Sequence, residues 1–407
     1  MTQPLSDLRI VELSAFVAAP LGGMTLAQLG AEVIRIDPIG GGLDFRRWPL
    51  AASGRSLYWA GLNKGKRSVA LALNTSEGQA LAQALITAPG AGGGILSTNL
   101  PEQGWNATAT LRQQRADLIA MRLVGNPDGS GAVDYTINPA SGFPLITGAG
   151  DVPVNHVLPA WDLTAGLYLA TGLLAAERRR SRTGEGAEVR LALADVMLAT
   201  LGNLGYLADF EVNGTERKAV GNALYGAFGA DFPTADGRRV MVVALSPSQW
   251  RNLGATTGLT EAIAALGAEL ELDFSQEGPR FQAQAPLCAL LAPWFAARSF
   301  SEVSGALDAG RVLWGPYQDI RQLMSEDRRC STDNPMFQRQ HHPGLGPLLT
   351  PGSPLAFGDG SRAALEPAPL LGQHTDQVLR EIVGCSEHDL RRLHHHNIVA
   401  GPEEADA

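Results

Sequence analysis

Apolar positions near the start of the chain switch between unbroken runs and helical spacing. The run Leu8–Ser14 predicts a short buried strand, the spacing over Ala19–Gly30 predicts a helix, and Glu32–Ile36 predicts a second strand that ends at Asp37. A strand, a helix and a strand within about 30 residues form a βαβ unit, which implies parallel strands and a right-handed crossover.

The same alternation continues along the next ninety residues or so. Ser68–Leu73, Gly93–Asn99 and Leu118–Val124 read as strands, and Ser76–Ile86 reads as a helix. Strands that alternate with helices favour an α/β fold, and we expect a Rossmann-like, doubly wound large domain.

A long helix is predicted over Leu163–Arg180, and the turn TGEG follows it. Ala187–Leu193 is a strand or the start of a helix, and Asp195–Asp209 has helical character. The pattern then changes, because Gly221–Gly237 is rich in loop-forming residues.

A smaller α+β domain is expected after this point. Its predicted elements are the strand Arg239–Ala244 and the helices Ser248–Gly258, Leu287–Arg298 and Ser301–Ala309, the second of which Pro293 could kink. Loops rich in Pro and Gly follow Pro335, before a last helix near His374–Val383. The predicted organisation is a large α/β domain at 1–190, a linker at 191–214, the small domain at 215–325, a second linker at 326–340 and a return to the large domain at 341–407.

Composition narrows the possible functions of the chain. Its 407 residues are 45% hydrophobic and carry a formal net charge of −9, so we expect a folded protein that does not bind nucleic acid. Three widely spaced cysteines without a CxxC pair indicate neither a disulfide framework nor a metal site. No signal core and no apolar run of membrane-spanning length is found, so the expected location is the cytoplasm, away from membranes.

Two common sites are disfavoured by the residues themselves. Dinucleotide binding needs GxGxxG after the first strand, and the turn here reads SAFVAAP. The pair His341–His342 and the run His394–His396 lack metal-ligand spacing, so we expect them on solvated faces.

Two features carry candidate chemistry. Asp162 stands where a cap of the long helix is expected, and Asp is a good cap residue; alternatively it is a nucleophile, with Gly166 and Ala170 leaving room for a large substrate. The glycine-rich segment Gly221–Gly229 is either an interdomain connection or a lid over a reactive intermediate.

Four segments in order resemble the family III CoA-transferases, a family that includes formyl-CoA transferase, carnitine CoA-transferase and the α-methylacyl-CoA racemases. They are LRIVELSAFVAAPLGGMTLAQLGAEVIRID, NKGKRSVALAL, DLTAGLYLATGLLAAERRRSRTGEGAEV and APLLGQHTDQVL. The resemblance covers essentially the whole chain. It implies an enzyme that binds no permanent cofactor, takes CoA as part of its substrate, and assembles as an interlocked-ring homodimer.

The resemblance also implies site residues. Asp162 falls on the catalytic aspartate, which attacks an acyl-CoA thioester, forms a mixed anhydride and then carries CoA as an aspartyl thioester. Asp134 is expected to orient substrate or support Asp162. The positions expected to hold CoA are Ala18, Arg35, Leu71, Asn99 and Leu100, with Arg46 and Arg47 as candidate phosphate ligands. The positions expected near substrate are Val17 and, in the glycine-rich segment, Gly221, Asn222, Tyr225 and Gly226.

Departures from the family pattern bear on the reaction. The racemases have a His-Asp pair where this chain reads Val133–Asp134, which disfavours racemase or epimerase chemistry, and Val17 replaces the glutamine of formyl-CoA transferase. Further segments resemble family members that move CoA between the C1 and C4 carboxylates of one branched, unsaturated dicarboxylic acid. The alternatives are transfer between two molecules with a different dicarboxylic acid, racemisation, and a CoA- or nucleotide-binding protein without activity.

Overall fold

The computed structural model describes residues 3–358, 362 and 364–402, and their contacts separate into two units. Unit 1 comprises the chain up to Ser141, Val157–Asn213 and the residues from Arg328 onward, whereas unit 2 comprises Gly142–His156 and Gly214–Asp327. The grouping of Gly142–His156 with unit 2 has no counterpart in the domain boundaries expected from the sequence, and those boundaries stay a prediction.

The strands, in chain order, are β1 Arg9–Leu13, β2 Glu32–Pro38, β3 Arg67–Leu71, β4 Ile95–Thr98, β5 Ile119–Val124, β6 Ala187–Ala192, β7 Phe228–Pro233, β8 Arg239–Ala244, β9 Leu313–Pro316, β10 Phe337–His342, β11 Gly346–Pro351 and β12 Val399–Ala400.

The α-helices, in chain order, are α1 Ala18–Ala27, α2 Leu57–Leu62, α3 Ser76–Thr87, α4 Thr108–Gln114, α5 Asp134–Ala140, α6 Phe143–Ile146, α7 Ala160–Thr183, α8 Leu193–Asn203, α9 Tyr206–Asn213, α10 Pro247–Thr257, α11 Thr260–Glu269, α12 Glu277–Gln282, α13 Gln284–Ala296, α14 Phe300–Ala309, α15 Ile320–Glu326, α16 Thr375–Val378 and α17 Glu387–His395. A 3₁₀ turn spans Arg328–Cys330 and a π-helical turn spans Leu379–Val383.

Unit 1 is built on a mainly parallel sheet with the strand order β12-β3-β2-β1-β4-β5-β6, in which β12 pairs antiparallel with β3. Alternate side chains of β1 enter different cores, as the two-residue period of a strand requires. Ile10 packs with Leu26 of α1 and Leu173 of α7, whereas Val11 packs with Leu85 of α3. Helices therefore cover both faces, and the predicted doubly wound α/β class is confirmed.

Glycines allow α1 and α7 to pack closely in unit 1. A Cβ atom on Gly22 would lie 2.9 Å from the carbonyl oxygen of Gly166, and one on Gly166 would lie 2.7 Å from that of Ala18. Gly166 and Ala170 are buried. The expectation that these two small residues make room for substrate was wrong, since Gly166 serves the close approach of the helices and Ala170 packs in the core.

Unit 2 has a core of its own between a small sheet and its helices. Strand β8 pairs antiparallel with β7 and β9. Phe232 of β7 stacks on Phe295 of α13 with ring centroids 4.3 Å apart, and α13 continues through Pro293.

Several sequence predictions need correction. Part of the predicted loop 221–237 is strand β7, and the loop expected after Pro335 contains the hairpin β10–β11. The predicted helix Asp195–Asp209 is interrupted, because Gly205 adopts a positive φ of 78° between α8 and α9. Among the described residues, no helix has both the length and the apolar character needed to cross a membrane.

Candidate active site

A cavity of about 520 Å³ opens in unit 1 beyond the carboxyl ends of β1, β4 and β5. Strands β2 and β3 lie on one side of β1 while β4 and β5 lie on the other, so the strand order reverses between β1 and β4. In open α/β sheets this switch point is where ligands bind. The loop Phe16–Ala18, the segment from Asn99 to Glu102, the loop before α5 and the first turn of α7 line the cavity.

Asp162 lies in the cavity wall as the third residue of α7. The prediction that Asp162 is the N-cap of this helix was wrong. The helix begins three residues earlier than that prediction implies, and Pro159 occupies the N-cap position. Within the described part of the chain its carboxylate accepts no hydrogen bond, whereas its backbone N–H donates to the carboxylate of Asp134.

Asp134 performs the capping role instead. This buried residue begins α5, and its Oδ2 accepts hydrogen bonds from the backbone N–H of Trp161 at 2.8 Å and of Asp162 at 3.1 Å. The first N–H groups of a helix have no partner within the helix, so an accepting carboxylate stabilises the helix start. Trp161 is fixed further by its indole N–H, which donates to Asn138.

The pKa of Asp162 reflects its burial and the charged groups around it. Burial, together with the neighbouring charge of Asp134, raises the pKa of Asp162 to about 6, and the guanidinium of Arg47 acts in the opposite direction. Near neutral pH Asp162 is therefore an ionised, incompletely solvated carboxylate without a hydrogen-bond partner in the described chain, which is the state a carboxylate nucleophile requires.

Arg47 enters the same cavity between two aromatic rings. Its guanidinium carbon lies 5.3 Å from the ring centroid of Phe16 and 5.1 Å from that of Tyr58, both within the range of cation–π attraction. Burial raises the pKa of Tyr58 to about 12, and the positive charge of Arg47 opposes this effect without cancelling it. Phe16 holds a left-handed φ of 68°, an uncommon conformation for a residue with a side chain.

Unit 1 also contains a cluster of buried charged side chains on β1, β2 and the segments that follow β2 and α2. The Arg35 guanidinium donates to Asp37 and Asp44 at 2.9 Å and to Asn63 at 3.1 Å. Nearby, the Lys66 ammonium donates to Glu12 at 2.7 Å, and burial lowers the pKa of Lys66 to about 8. The Arg35 side chain is 1% exposed and its hydrogen bonds are made inside the protein, and its expected role in binding CoA stays a prediction.

The other positions expected to hold CoA separate into two groups. Ala18, Asn99 and Leu100 line the cavity of Asp162, as Val17 does. Asn99 has a structural task as well, because its side-chain amide bonds both the N–H and the C=O of Ala15 at 2.9 and 2.8 Å and so holds the β1–α1 loop.

Two predicted CoA positions do not line this cavity. The Leu71 side chain is buried in the core of unit 1. Arg46 lines a different, smaller cavity of about 280 Å³, next to Trp59 and Leu345. The structure thus separates Arg46 from its neighbour Arg47, although the sequence suggested one shared role.

The predicted glycine-rich segment lies in unit 2. Gly221 donates its N–H to Gly148 and, like Gly226, has a positive φ. The Tyr225 ring packs on Phe281 at 4.9 Å, and the guanidinium carbon of Arg217 lies 4.0 Å from its centroid. The role of these residues and of Asn222 beside a substrate stays a prediction, and the segment ends where β7 begins at Phe228.

The histidine expectations were partly wrong. His342 is buried, and its Nε2 lies 3.0 Å from the hydroxyl oxygen of Thr350. His394 is 2.7 Å from Asp376. Adjacent histidines in a strand alternate between faces, which is why His342 turns inward.

Sequence reasoning missed Phe16 and Tyr58 as partners of Arg47. Phe16 could have been found, because it follows the first strand and residues after the carboxyl ends of parallel strands line the ligand crevice. Tyr58 gave no such signal, since α2 is short and lies outside the strand–helix alternation.

Comparisons with known proteins bear on the family and the fold of the chain. The family model described as CoA-transferase family III matches residues 5–375. A 2-methylfumaryl-CoA isomerase of Chloroflexus aurantiacus is 55% identical over 404 residues, covering 98% of this chain and 99% of that protein. A succinyl-CoA–D-citramalate CoA-transferase of the same organism is 27% identical over 98% of both chains. The crystal structure of a CAIB/BAIF family protein from Brucella suis superposes with a TM-score of 0.76 at 24% identity, covering 94% of this chain and all of that one, and shows the same fold.

Proposed function

The chain belongs to CoA-transferase family III, and from that premise we propose that it moves CoA between the C1 and C4 carboxylates of 2-methylfumaryl-CoA. The observation that carries the proposal is the carboxylate of Asp162, which faces the switch-point cavity without a hydrogen-bond partner among the described residues. The 55% identity to a 2-methylfumaryl-CoA isomerase supports this choice of substrate.

The first half of the reaction loads CoA onto the enzyme. A carboxylate oxygen of Asp162 attacks the thioester carbonyl, the carbon–sulfur bond breaks, and the CoA thiolate leaves behind a mixed anhydride. The thiolate then attacks the aspartyl carbonyl of the anhydride and releases the substrate as a free dicarboxylate. Covalent catalysis of this kind divides one difficult exchange into easier steps, and the products so far are an aspartyl-CoA thioester and 2-methylfumarate.

The second half runs the same steps in reverse with the other carboxylate. That carboxylate attacks the aspartyl thioester, the thiolate leaves, and the thiolate then attacks the substrate carbonyl of the new anhydride. The Asp162 carboxylate is regenerated, and no proton is consumed or released. Retaining the acid in the site favours return to the same molecule, since proximity lowers such barriers by up to ~7–11 kcal/mol.

A transfer between two different molecules is the second candidate. It uses the same aspartyl thioester, and the similarity to a succinyl-CoA–D-citramalate CoA-transferase favours it. Racemisation has less support, because Val133 supplies no base beside Asp134 and the Asp134 carboxylate accepts two backbone hydrogen bonds.

Conversion of 2-methylfumaryl-CoA in the presence of ¹³C-labelled free 2-methylfumarate tests the proposal. We expect the C4 thioester to form without label, which liquid chromatography with mass spectrometry detects. Appreciable label in the product would establish the intermolecular reaction instead. Absence of any regioisomer would refute the proposal, and deuterium uptake from D₂O at a substrate carbon would point to racemase-type chemistry.

A further inference from the structure

Arg47 has a task that neither the family match nor the mechanism of CoA loading assigns to it. We infer that Arg47 binds the free carboxylate of the dicarboxylic substrate and so selects diacid thioesters over monoacid thioesters. This inference rests on the proposed function and adds to it the group that recognises the second carboxylate.

The surroundings of Arg47 leave its hydrogen-bonding edge available. The rings of Phe16 and Tyr58 contact the guanidinium at 5.3 and 5.1 Å, measured from the guanidinium carbon to the ring centroids. Aromatic contacts of this kind use the charge of the group without consuming its N–H donors. Within the part of the chain that the structure describes, the Arg47 side chain donates no hydrogen bond and forms no ion pair.

Arg47 is close enough to the nucleophile to bind the far end of a short substrate. The Arg47 side chain lines the same cavity as Asp162, and its positive charge lowers the pKa of the Asp162 carboxylate. The substrate of the proposed reaction carries one carboxylate as a thioester and leaves the other ionised. A forked guanidinium beside the nucleophile matches that second group, because arginine and carboxylate pair through two parallel hydrogen bonds.

Two other arginines line the cavity, and neither fits this task as well. The Arg122 guanidinium is buried and donates to the hydroxyl of Thr108 and to the carbonyl of Asn106. Its Nη1 has no hydrogen-bond partner among the described residues, but its charge, unlike that of Arg47, is not among the influences on the pKa of Asp162. Arg190 is exposed, and its charge is not among the influences on the pKa of Asp162. Arg190 is therefore a suitable comparison for the same cavity.

Hydrogen bonds to Asp44 and Ser56 fix the backbone of the loop that carries Arg47. Asp44 is 1% exposed and pairs with Arg35 at 2.9 Å, and its carbonyl accepts the backbone N–H of Arg47. The hydroxyl of Ser56 donates to the carbonyl of Arg47. Preorganisation of this kind reduces the entropy lost when a substrate carboxylate is bound.

The decisive measurement compares two thioesters of the same carbon skeleton. 2-Methylfumaryl-CoA has a free carboxylate where 2-methylcrotonyl-CoA has a methyl group. The second-order rate of covalent adduct formation on the enzyme is measured for both with wild type, R47Q, R47K and R190Q. We expect R47Q to lose about 100-fold with the diacid thioester and less than about threefold with the methyl analogue, since only the former loses a charged hydrogen-bond partner.

The remaining variants sharpen the assignment. R47K keeps the positive charge but cannot form two parallel hydrogen bonds to a carboxylate. We therefore expect the rate of adduct formation with the diacid thioester to fall by an intermediate factor, about tenfold. R190Q keeps the preference of wild type for the diacid. Equal losses of R47Q with both thioesters, no loss with either, or collapse of the preference in R190Q would each overturn the inference.

A binding measurement separates this inference from the proposed reaction. In the D162N background, which lacks the nucleophile, calorimetry gives the affinities of both thioesters with and without R47Q. Selective weakening of the diacid supports the role of Arg47 even if wild type forms no adduct, a result that would refute the proposed function alone. Equal affinities of the two thioesters in D162N would overturn the inference.

Discussion

Replacing Asp162 by asparagine is expected to stabilise the folded protein at neutral pH while it abolishes turnover. The substitution keeps the shape of the side chain and removes its charge. In the native structure that charge is largely removed from water, lies near Asp134 and has no hydrogen-bond donor among the described residues. The folded state therefore holds an ionised group in a place that disfavours ionisation.

The magnitude follows from the pKa. The pKa of Asp162 rises from an ordinary 3.8 to about 6, and each pKa unit corresponds to about 1.4 kcal/mol, so ionisation costs the folded state at most about 3 kcal/mol. Partial exposure reduces this figure, and the asparagine loses a favourable interaction with the helix N-terminus of about 0.3–1 kcal/mol. We expect a net gain of about 1–2 kcal/mol.

The dependence on pH identifies the cause. A carboxylate whose pKa is raised on folding destabilises the protein above its folded pKa, and this effect disappears as pH falls below the unfolded value. Urea unfolding at pH 8 should therefore show D162N more stable than wild type, with the difference fading at pH 4. Equal stability at pH 8, or a gain that is the same at both pH values, would refute the reasoning.

Three further predictions follow from the same contacts. The value of kcat/KM should fall about tenfold per pH unit below about pH 6, because protonation removes the Asp162 nucleophile; a flat profile from pH 7 to 4.5 would contradict it. D134N should move the fall of kcat/KM to lower pH, because it removes the negative charge beside Asp162 while the side-chain oxygen at position 134 still accepts the N–H of Trp161. A fall at the same pH as in wild type would count against an effect of the Asp134 charge on the pKa of Asp162. R35Q should lower the free energy of unfolding by about 3–5 kcal/mol, since it leaves Asp37 and Asp44 buried without their cation; a urea titration that shows less than about 1 kcal/mol would exclude this role.

The large sheet could be predicted because its strands are short apolar runs separated by segments whose apolar residues have helical spacing. Leu8–Ser14 and Leu118–Val124 both became parallel strands within a residue or two of the expected bounds. Strand β7 could not be found in this way, because Gly229 and Pro233 resemble loop residues until pairing with β8 supplies their context.

Several of the residues that the sequence singled out line one cavity, and their roles stay predictions. Asp162 and Arg47 do line one cavity with Ala18 and Asn99. Arg35 pairs with Asp37 and Asp44, which are two and nine residues further along the chain, but only the path of the loop after β2 brings Asp44 to it. The capping of α7 by Asp134 joins residues that are 27 positions apart. Spacing along the chain carries no information of that kind.

The central claim is that the Asp162 carboxylate becomes covalently bonded during turnover. Incubation with 2-methylfumaryl-CoA and hydroxylamine, followed by proteolysis and mass spectrometry, tests it most directly. The account predicts a hydroxamate on the peptide that contains Asp162, absent from D162N and from samples without the thioester. Modification of a different residue, or unmodified Asp162 in an enzyme that is turning over, would contradict it.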